Sequence, residues 1–123
     1  MKILVADDSM TIRRLVAARL RADGYEVTEA EDGEEALDLA RQQHPDLYVL
    51  DKVMPKLDGF EVVRALRQDP ETREAPIVML TERGGEQDVL GGLDLGVDEY
   101  MPKPFSPHEL SARIRRALAR ARS

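Results

Sequence analysis

The chain has 123 residues, of which 42% are hydrophobic and 34% are charged, and its net charge at pH 7 is -6. This composition is typical of a globular protein with one core, here predicted as a single domain over residues 1–123, and it excludes a disordered chain. The negative net charge argues against broad nucleic-acid binding. No apolar run reaches the roughly 20 residues that a membrane helix needs. The lack of cysteine excludes disulfides and thiolate metal sites.

Three strands and two helices are predicted in the first half of the chain. Lys2–Ala6 is a short apolar run that ends in two acids, which is typical of a strand buried on both faces. The opening MKILVADDS is too short and too acidic for a secretion signal, so we expect a cytoplasmic protein. A helix is predicted from an N-cap at Ser9 up to Gly24, because apolar residues recur at helical spacing: Ile12, Leu15, Val16 and Leu20. The next predicted elements are, in order, a strand over Glu26–Ala30, a turn at Asp32-Gly33, a helix over Glu34–Gln43 and a buried strand over Leu47–Leu50.

The second half of the chain continues the same alternation. Pro55 and Gly59 mark a loop before a third helix, and two adjacent glycines weaken the helix predicted over Glu86–Leu95. Strands are predicted over Ile77–Leu80, just before Thr81, and over Glu99–Met101, just before Lys103-Pro104. The last helix begins near Pro107 and carries one apolar stripe: Leu110, Ile114, Ala117, Leu118 and Ala121.

Five strands that alternate strictly with helices predict an α/β fold, a doubly wound parallel sheet with helices on both faces. The ligand site of such a sheet lies beyond the carboxyl ends of its strands. Polar or charged residues follow four of the five predicted strands at that end: Asp7 and Asp8, Asp51, Thr81, and Lys103. We therefore expect these side chains to converge on one edge of the sheet.

Three carboxylates at one edge repel one another, so each resists ionisation unless cations compensate. Mg²⁺ binds a few carboxylates while leaving room for water and phosphate oxygens, and one lysine adds a fixed positive charge. Thr81 and Lys103 suit phosphoryl oxygens, and Asp51 is the predicted nucleophile because its strand is the central one. Each residue alone is more often structural, as a cap, a turn former or a surface charge, but their joint placement favours a site for phosphoryl transfer.

Four sequence runs carry a family resemblance. In their order and spacing, ILVADDS, LDKVMPKLDGFEVVRALR, PIVMLT and DEYMPKPF resemble the receiver domain of two-component response regulators over essentially the whole chain. The resemblance implies a flavodoxin-like (βα)5 fold with the strand order 2-1-3-4-5. It also implies four protein ligands for Mg²⁺: Asp7, Asp8, Asp51 and the backbone carbonyl of Val53.

By the same resemblance, Asp51 accepts a phosphoryl group from a phosphohistidine of a sensor histidine kinase or a phosphotransfer protein, and Thr81 and Lys103 bind its oxygens. Thr81 then moves toward the phosphoryl group and Tyr100 turns inward behind it. Family members hydrolyse their own aspartyl phosphate, so the modification is transient and the domain is a switch rather than an enzyme with a separate substrate.

The implied readout surface comprises the helix over Glu86–Leu95, the fifth strand and the last helix. Through this surface the domain would act on a downstream protein, on an output domain outside this sequence, or on a second copy of itself in a homodimer. No contact with nucleic acid or membrane is expected of this domain.

Three residues beside the expected site are predicted to modulate it. Glu82 stands where a small residue is common in the family, and we expect it to slow both phosphotransfer and dephosphorylation by obstructing access. Val53 cannot donate a hydrogen bond that would position an attacking water, so it too is expected to slow dephosphorylation. Lys52 stands where an apolar residue is common, and it is either an exposed side chain or a second cation near the site. The Lys103-Pro104 bond is cis in the family.

Other functions remain open at this point. A degenerate receiver, folded alike but never phosphorylated, would serve as a dimerisation module; the intact set of site residues argues against it, while Glu82 keeps it open. A flavin or dinucleotide binder is disfavoured because no G-x-G-x-x-G follows the first strand. The arginines of the last helix could form a nucleic-acid patch, but such a run is more often a solvated face that complements the helix dipole.

Overall fold

The computed structural model describes residues 1–82 and 96–121, and these residues form a five-stranded parallel sheet with four helices. The strands are β1 (Lys2–Ala6), β2 (Glu26–Ala30), β3 (Leu47–Asp51), β4 (Ile77–Thr81) and β5 (Glu99–Pro102). The helices are α1 (Met10–Ala22), α2 (Gly33–Gln43), α3 (Gly59–Gln68) and α4 (Pro107–Ala121). None of these helices is long and apolar enough to cross a membrane. The helix predicted over residues 86–95 lies outside the described residues.

The strands pair in parallel in the order β2-β1-β3-β4-β5, which confirms the implied strand order. The chain leaves β1 for β2 on one side and then returns to β3 on the other, so the strand order reverses between β1 and β3. In the register, Ala6 lies beside Leu50, and Asp51 lies beside Leu80. The reversal therefore opens a crevice where the carboxyl ends of β1 and β3 lie side by side.

Two apolar cores cover the two faces of the sheet. One packs the sheet against α2 and α3 and includes Leu4, Tyr48 and Met79; the other packs it against α1 and α4 and includes Ile3 and Val49. Every residue of β3 and β4 is buried. Because both faces of the central strands are covered, these strands are apolar along their length and polar side chains appear only where the strands end.

Two apolar residues of the predicted helical stripes lie outside the core. Leu15 is 65% exposed, and Arg13 lies with Val16 on the buried face of α1 instead. At about 100° per residue, position 15 projects from the side of the helix away from positions 13 and 16. Ala121 is exposed because it ends α4 one turn beyond Leu118, the last buried residue of that helix.

Candidate functional site

Polar residues at the carboxyl ends of the strands meet at one edge of the sheet. Asp7 and Asp8 follow β1, Asp51 ends β3, Thr81 ends β4, and Lys103 follows β5. The three acids offer carboxylate oxygens that all lie within 4.8 Å of one another. The Lys103 Nζ lies 3.3 Å from Asp7 Oδ2 and 3.2 Å from Asp51 Oδ1. The structure thus brings the three acids and the lysine into one cluster.

The acids of the cluster differ in exposure, and this sets their electrostatics. Asp7 is 0% and Asp51 7% exposed, whereas Asp8 faces water. Burial, and after it the charge of Asp7, raises the pKa of Asp51 to about 6, although Lys103 opposes the shift. Burial lowers the pKa of Lys103, but the charges of Asp51 and Asp7 outweigh it and leave that pKa raised. One ammonium group therefore does not compensate three carboxylates, and the cluster is suited to a further cation.

The loop after Asp51 folds back closely on the end of β3. The Lys52 backbone N–H donates to the Leu80 carbonyl at 3.0 Å, and the Gly59 N–H donates to the Lys52 carbonyl at 2.8 Å. A Cβ added at Gly59 would lie 2.5 Å from the Asp51 carbonyl oxygen, so only glycine fits there. Val53 follows in the same loop with 62% of the residue exposed. This return fixes the backbone on both sides of the Asp51 carboxylate.

Thr81 and Glu82 lie on the next strand end, beside the cluster. Thr81 is 3% exposed, whereas Glu82 is exposed. Glu82 and Lys103 both line a groove of about 540 Å³, whose walls come mainly from α1 and from the segment leading into α4. The Lys103-Pro104 peptide bond beside this groove is cis, which confirms that part of the resemblance. Glu82 is therefore exposed to water and shares this groove with Lys103 of the cluster.

Tyr100 lies on β5 beside Met79 of β4. It is half-buried and packs against the core under α2 and α3, and its hydroxyl oxygen is buried. Its backbone carbonyl accepts a hydrogen bond from Arg113 Nη1 at 2.6 Å. The residue is thus placed between the sheet core and the start of the implied readout surface, while its part in switching stays a prediction.

Three arginines of α4 are paired within the domain. Arg113, Arg116 and Arg120 each form an ion pair with Glu99 of β5, at 3.9, 2.5 and 2.7 Å. Only 11% of the Glu99 side chain is exposed, so this one carboxylate gathers three cations on the surface formed by β5 and α4. The arrangement favours the solvated-face interpretation of the basic last helix over a free nucleic-acid patch.

Sequence reasoning missed two residues that hold Asp7. The Ser9 N–H donates to Asp7 Oδ1 at 2.9 Å, and Arg13 Nη1 donates to the Asp7 carbonyl at 3.0 Å. Ser9 was predicted only as an N-cap, a role that its side chain also performs by accepting from the Ile12 N–H at 3.3 Å. No pattern in the sequence indicated Arg13, because an arginine in a helical repeat is normally assigned to the solvent face.

Comparison with known proteins places this geometry in a family. Residues 3–115 match the family model described as the response regulator receiver domain. The chain is 53% identical over 119 residues to the probable transcriptional regulator ycf27 of Cyanophora paradoxa, covering 97% of the chain and 48% of that protein. It is 50% identical over 120 residues to the alkaline phosphatase synthesis transcriptional regulatory protein PhoP of Bacillus subtilis, covering 98% of the chain and 49% of that protein.

Solved structures give the same result. The chemotaxis response regulator CheY4 of Vibrio cholerae superposes with a TM-score of 0.90 at 37% identity, covering 94% of the chain and 97% of that structure. The chain spans about half the length of the curated relatives named above. The similarity to those longer proteins therefore concerns one part of them.

Proposed function

The chain belongs to the response regulator receiver domain family, whose members are the phosphoacceptors of two-component systems, and we propose that its acceptor is Asp51, working beside a bound magnesium ion. The observation that carries this proposal is the cluster of Asp7, Asp8 and Asp51 oxygens within 4.8 Å of one another, with Lys103 against two of the acids. Such a cluster matches the donor set of a hard divalent cation.

The donor chemistry at this edge fits Mg²⁺. Carboxylate oxygens are the preferred ligands of this ion, and Asp8 opens the cluster to the water that the ion retains. The residues that would hold it are Asp7, Asp8, Asp51 and the backbone carbonyl of Val53. When bound, the ion supplies positive charge that offsets the charge on the transferring phosphoryl group.

The side chains of the site then have distinct tasks. The ionised Asp51 carboxylate attacks phosphorus of a phosphohistidine, so a P–O bond forms as the P–N bond breaks, and the electron pair of that bond stays on the imidazole nitrogen. The Lys103 ammonium lies 3.2 Å from Asp51 Oδ1, and it is proposed to donate to an oxygen of the incoming group. The Thr81 hydroxyl is proposed to donate to a second oxygen and, in moving to do so, to draw Tyr100 inward.

Three neighbouring residues are proposed to set the lifetime of the aspartyl phosphate. Glu82 is an exposed acid that shares a groove with Lys103, and it would repel an anionic phosphodonor and hinder the approach of an attacking water. Val53 presents an exposed apolar side chain that cannot orient an attacking water. Lys52 is half-exposed directly after the acceptor, where its cation would favour the phosphorylated form. Apart from taking up the phosphoryl group and slowly losing it, no other catalysis is proposed.

The partners proposed for the domain are those that its family suggests. A sensor histidine kinase or a phosphotransfer protein is the proposed phosphodonor. Since the named relatives are transcriptional regulators about twice the length of this chain, we propose that the domain acts through the surface of β5, α4 and the helix predicted over residues 86–95. Its target would be an output domain, a downstream protein or a second copy. Residues 1–123 are proposed to be one domain, located in the cytoplasm, without its own contact to nucleic acid or membrane.

Mass spectrometry tests the acceptor. After incubation with Mg²⁺ and phosphoramidate or acetyl phosphate, the chain should gain the mass of one phosphoryl group, and the gain should be labile in alkali. Asp51→Asn should abolish the gain, whereas Asp38→Asn, an exposed acid on α2, should not change it. If the parent chain neither gains mass nor binds beryllofluoride, the proposed phosphoacceptor function is wrong, and the alternative of a degenerate receiver that serves as a dimerisation module is favoured instead.

A further inference from the structure

One arginine lies inside the fold next to the proposed magnesium site. Arg13 of α1 is 6% exposed and is the only buried arginine within residues 1–82 and 96–121. A buried guanidinium is costly unless charged or polar partners satisfy it. The groups that bind the Arg13 guanidinium therefore indicate its role in the fold.

Arg13 joins the acidic cluster to the edge strand of the sheet. Its Nη1 donates to the backbone carbonyl of Asp7 at 3.0 Å. Its Nε donates to Glu29 Oε1 of β2 at 3.2 Å, and its Nη2 lies 3.8 Å from Glu31 Oε1. The planar guanidinium thus contacts Asp7 with one arm while Glu29 holds the group from the other side.

The contact with Asp7 completes the restraint of that residue. The Asp7 N–H donates to the Ala30 carbonyl at 3.1 Å, the Ser9 N–H donates to Asp7 Oδ1, and Lys103 donates to Asp7 Oδ2. Arg13 supplies the donor for the remaining polar atom, the carbonyl oxygen. Because Asp7 is 0% exposed, water cannot replace a lost donor without opening the fold.

The Asp7 carbonyl also controls the next residue. It belongs to the peptide group that joins Asp7 to Asp8, so fixing this oxygen fixes the plane from which the Asp8 side chain projects. A rotation of that peptide would carry the Asp8 carboxylate away from Asp7 and Asp51. We propose that Arg13 is a positioning residue that holds the Asp7–Asp8 peptide in the orientation that binds the ion. This proposal rests on the magnesium site proposed above.

The simpler alternative is that Arg13 only ties α1 to β2. Arg21 offers a matched control, because its Nη1 pairs with the same Glu29 at 3.3 Å and its Nη2 donates to the Val27 carbonyl at 3.0 Å. Both arginines therefore link the same helix to the same strand, but of the two only Arg13 donates a hydrogen bond to Asp7. Arg13→Met and Arg21→Met separate the two roles.

A magnesium titration followed by amide NMR measures the effect directly, without phosphorylation. Arg13→Met should weaken Mg²⁺ binding by roughly 10- to 100-fold, as for other residues that orient metal ligands. Arg21→Met should stay within about 2-fold of the parent, although urea unfolding should show that it too loses stability. Arg13→Lys retains the charge without the planar fork, so its affinity should fall between those of the parent and Arg13→Met.

The outcomes separate the two proposals. If the parent binds Mg²⁺ and Arg13→Met binds it equally well, the positioning role is wrong and the magnesium site stands. Equal weakening in Arg13→Met and Arg21→Met would also overturn it, because the effect would then be a general loosening of α1 on β2. If Arg13→Met does not fold, the Mg²⁺ affinity of Arg13→Lys is compared with those of the parent and of Arg21→Met instead. An affinity equal to that of the parent, or lowered no more than in Arg21→Met, would then overturn the positioning role. If the parent itself binds neither Mg²⁺ nor beryllofluoride, the proposed function fails and this inference with it.

Discussion

Removing the charge of the proposed acceptor should stabilise the metal-free protein. The pKa of Asp51 is raised to about 6 from an ordinary value of 3.8, first by burial and then by Asp7. One pKa unit corresponds to about 1.4 kcal/mol, so holding Asp51 ionised in the folded chain at neutral pH costs about 3 kcal/mol more than in the unfolded chain. Asp51→Asn keeps the shape of the side chain and removes this cost.

The sign of the pH dependence follows from the direction of the shift. A raised pKa means that the folded chain holds the Asp51 proton more tightly, so this group's contribution to stability is complete below the ordinary pKa and is lost as pH rises through about 6. The advantage of Asp51→Asn should therefore be near zero at about pH 3.5, grow between about pH 4 and 6, and be fully present at about pH 7.5.

Urea unfolding in EDTA at several pH values tests this. Asp51→Asn should unfold at higher urea than the parent at neutral pH, while Asp38→Asn, which removes an exposed acid paired with Arg41, should change the free energy of unfolding by less than about 1 kcal/mol. Added Mg²⁺ should reduce the difference in unfolding free energy between Asp51→Asn and the parent, because binding of the ion stabilises only the parent site. A metal-free Asp51→Asn that is no more stable than the parent at neutral pH would refute the electrostatic account of the cluster.

Three further substitutions probe other parts of the site. Gly59→Ala places a Cβ 2.5 Å from the Asp51 carbonyl oxygen, so it should lower the free energy of unfolding by about 1–3 kcal/mol in urea; an unchanged free energy would show that the loop gives way easily. Lys103→Met removes a group that lowers the pKa of Asp51, so that pKa should rise above about 6, as measured by carboxyl NMR; a fall would contradict the assigned balance of charges. Glu82→Ala should speed both phosphorylation by phosphoramidate and loss of the phosphoryl group; unchanged rates for both would remove the proposed obstruction.

The strand ends were predictable from the sequence because buried strands are apolar and the residues that follow them are polar. β3 and β4 are buried over all their residues, so their segments are continuously apolar and the first polar residues along each segment mark its end. Alternation with helices then implies a parallel sheet, and a parallel sheet gathers these ends at one edge. The approximate positions of Asp7, Asp51 and Thr81 follow from these local patterns. The strand order came from resemblance to a family, since alternation alone is compatible with several orders.

The tertiary structure decided which side chains meet across long separations in the chain. Helical periodicity ranked Leu15 as a core residue of α1, yet Arg13 is buried and Leu15 is exposed. The reason is that a helix has several partly apolar sides, and only packing against the sheet selects one. Glu29 and the Asp7 carbonyl satisfy that arginine. Neither partner is visible from the helical segment itself.

The pKa of Asp51 also depends on the assembled fold. It arises from burial and from Asp7, a residue on another strand, and the opposing cation comes from Lys103, 52 positions along the chain. Sequence by itself determined the kinds of side chain at the strand ends, because local burial dictates where polar residues are tolerated. Distances and shared burial decide how those side chains act on one another, because electrostatic interactions depend on separation in space and on access of water, which only the packed structure sets.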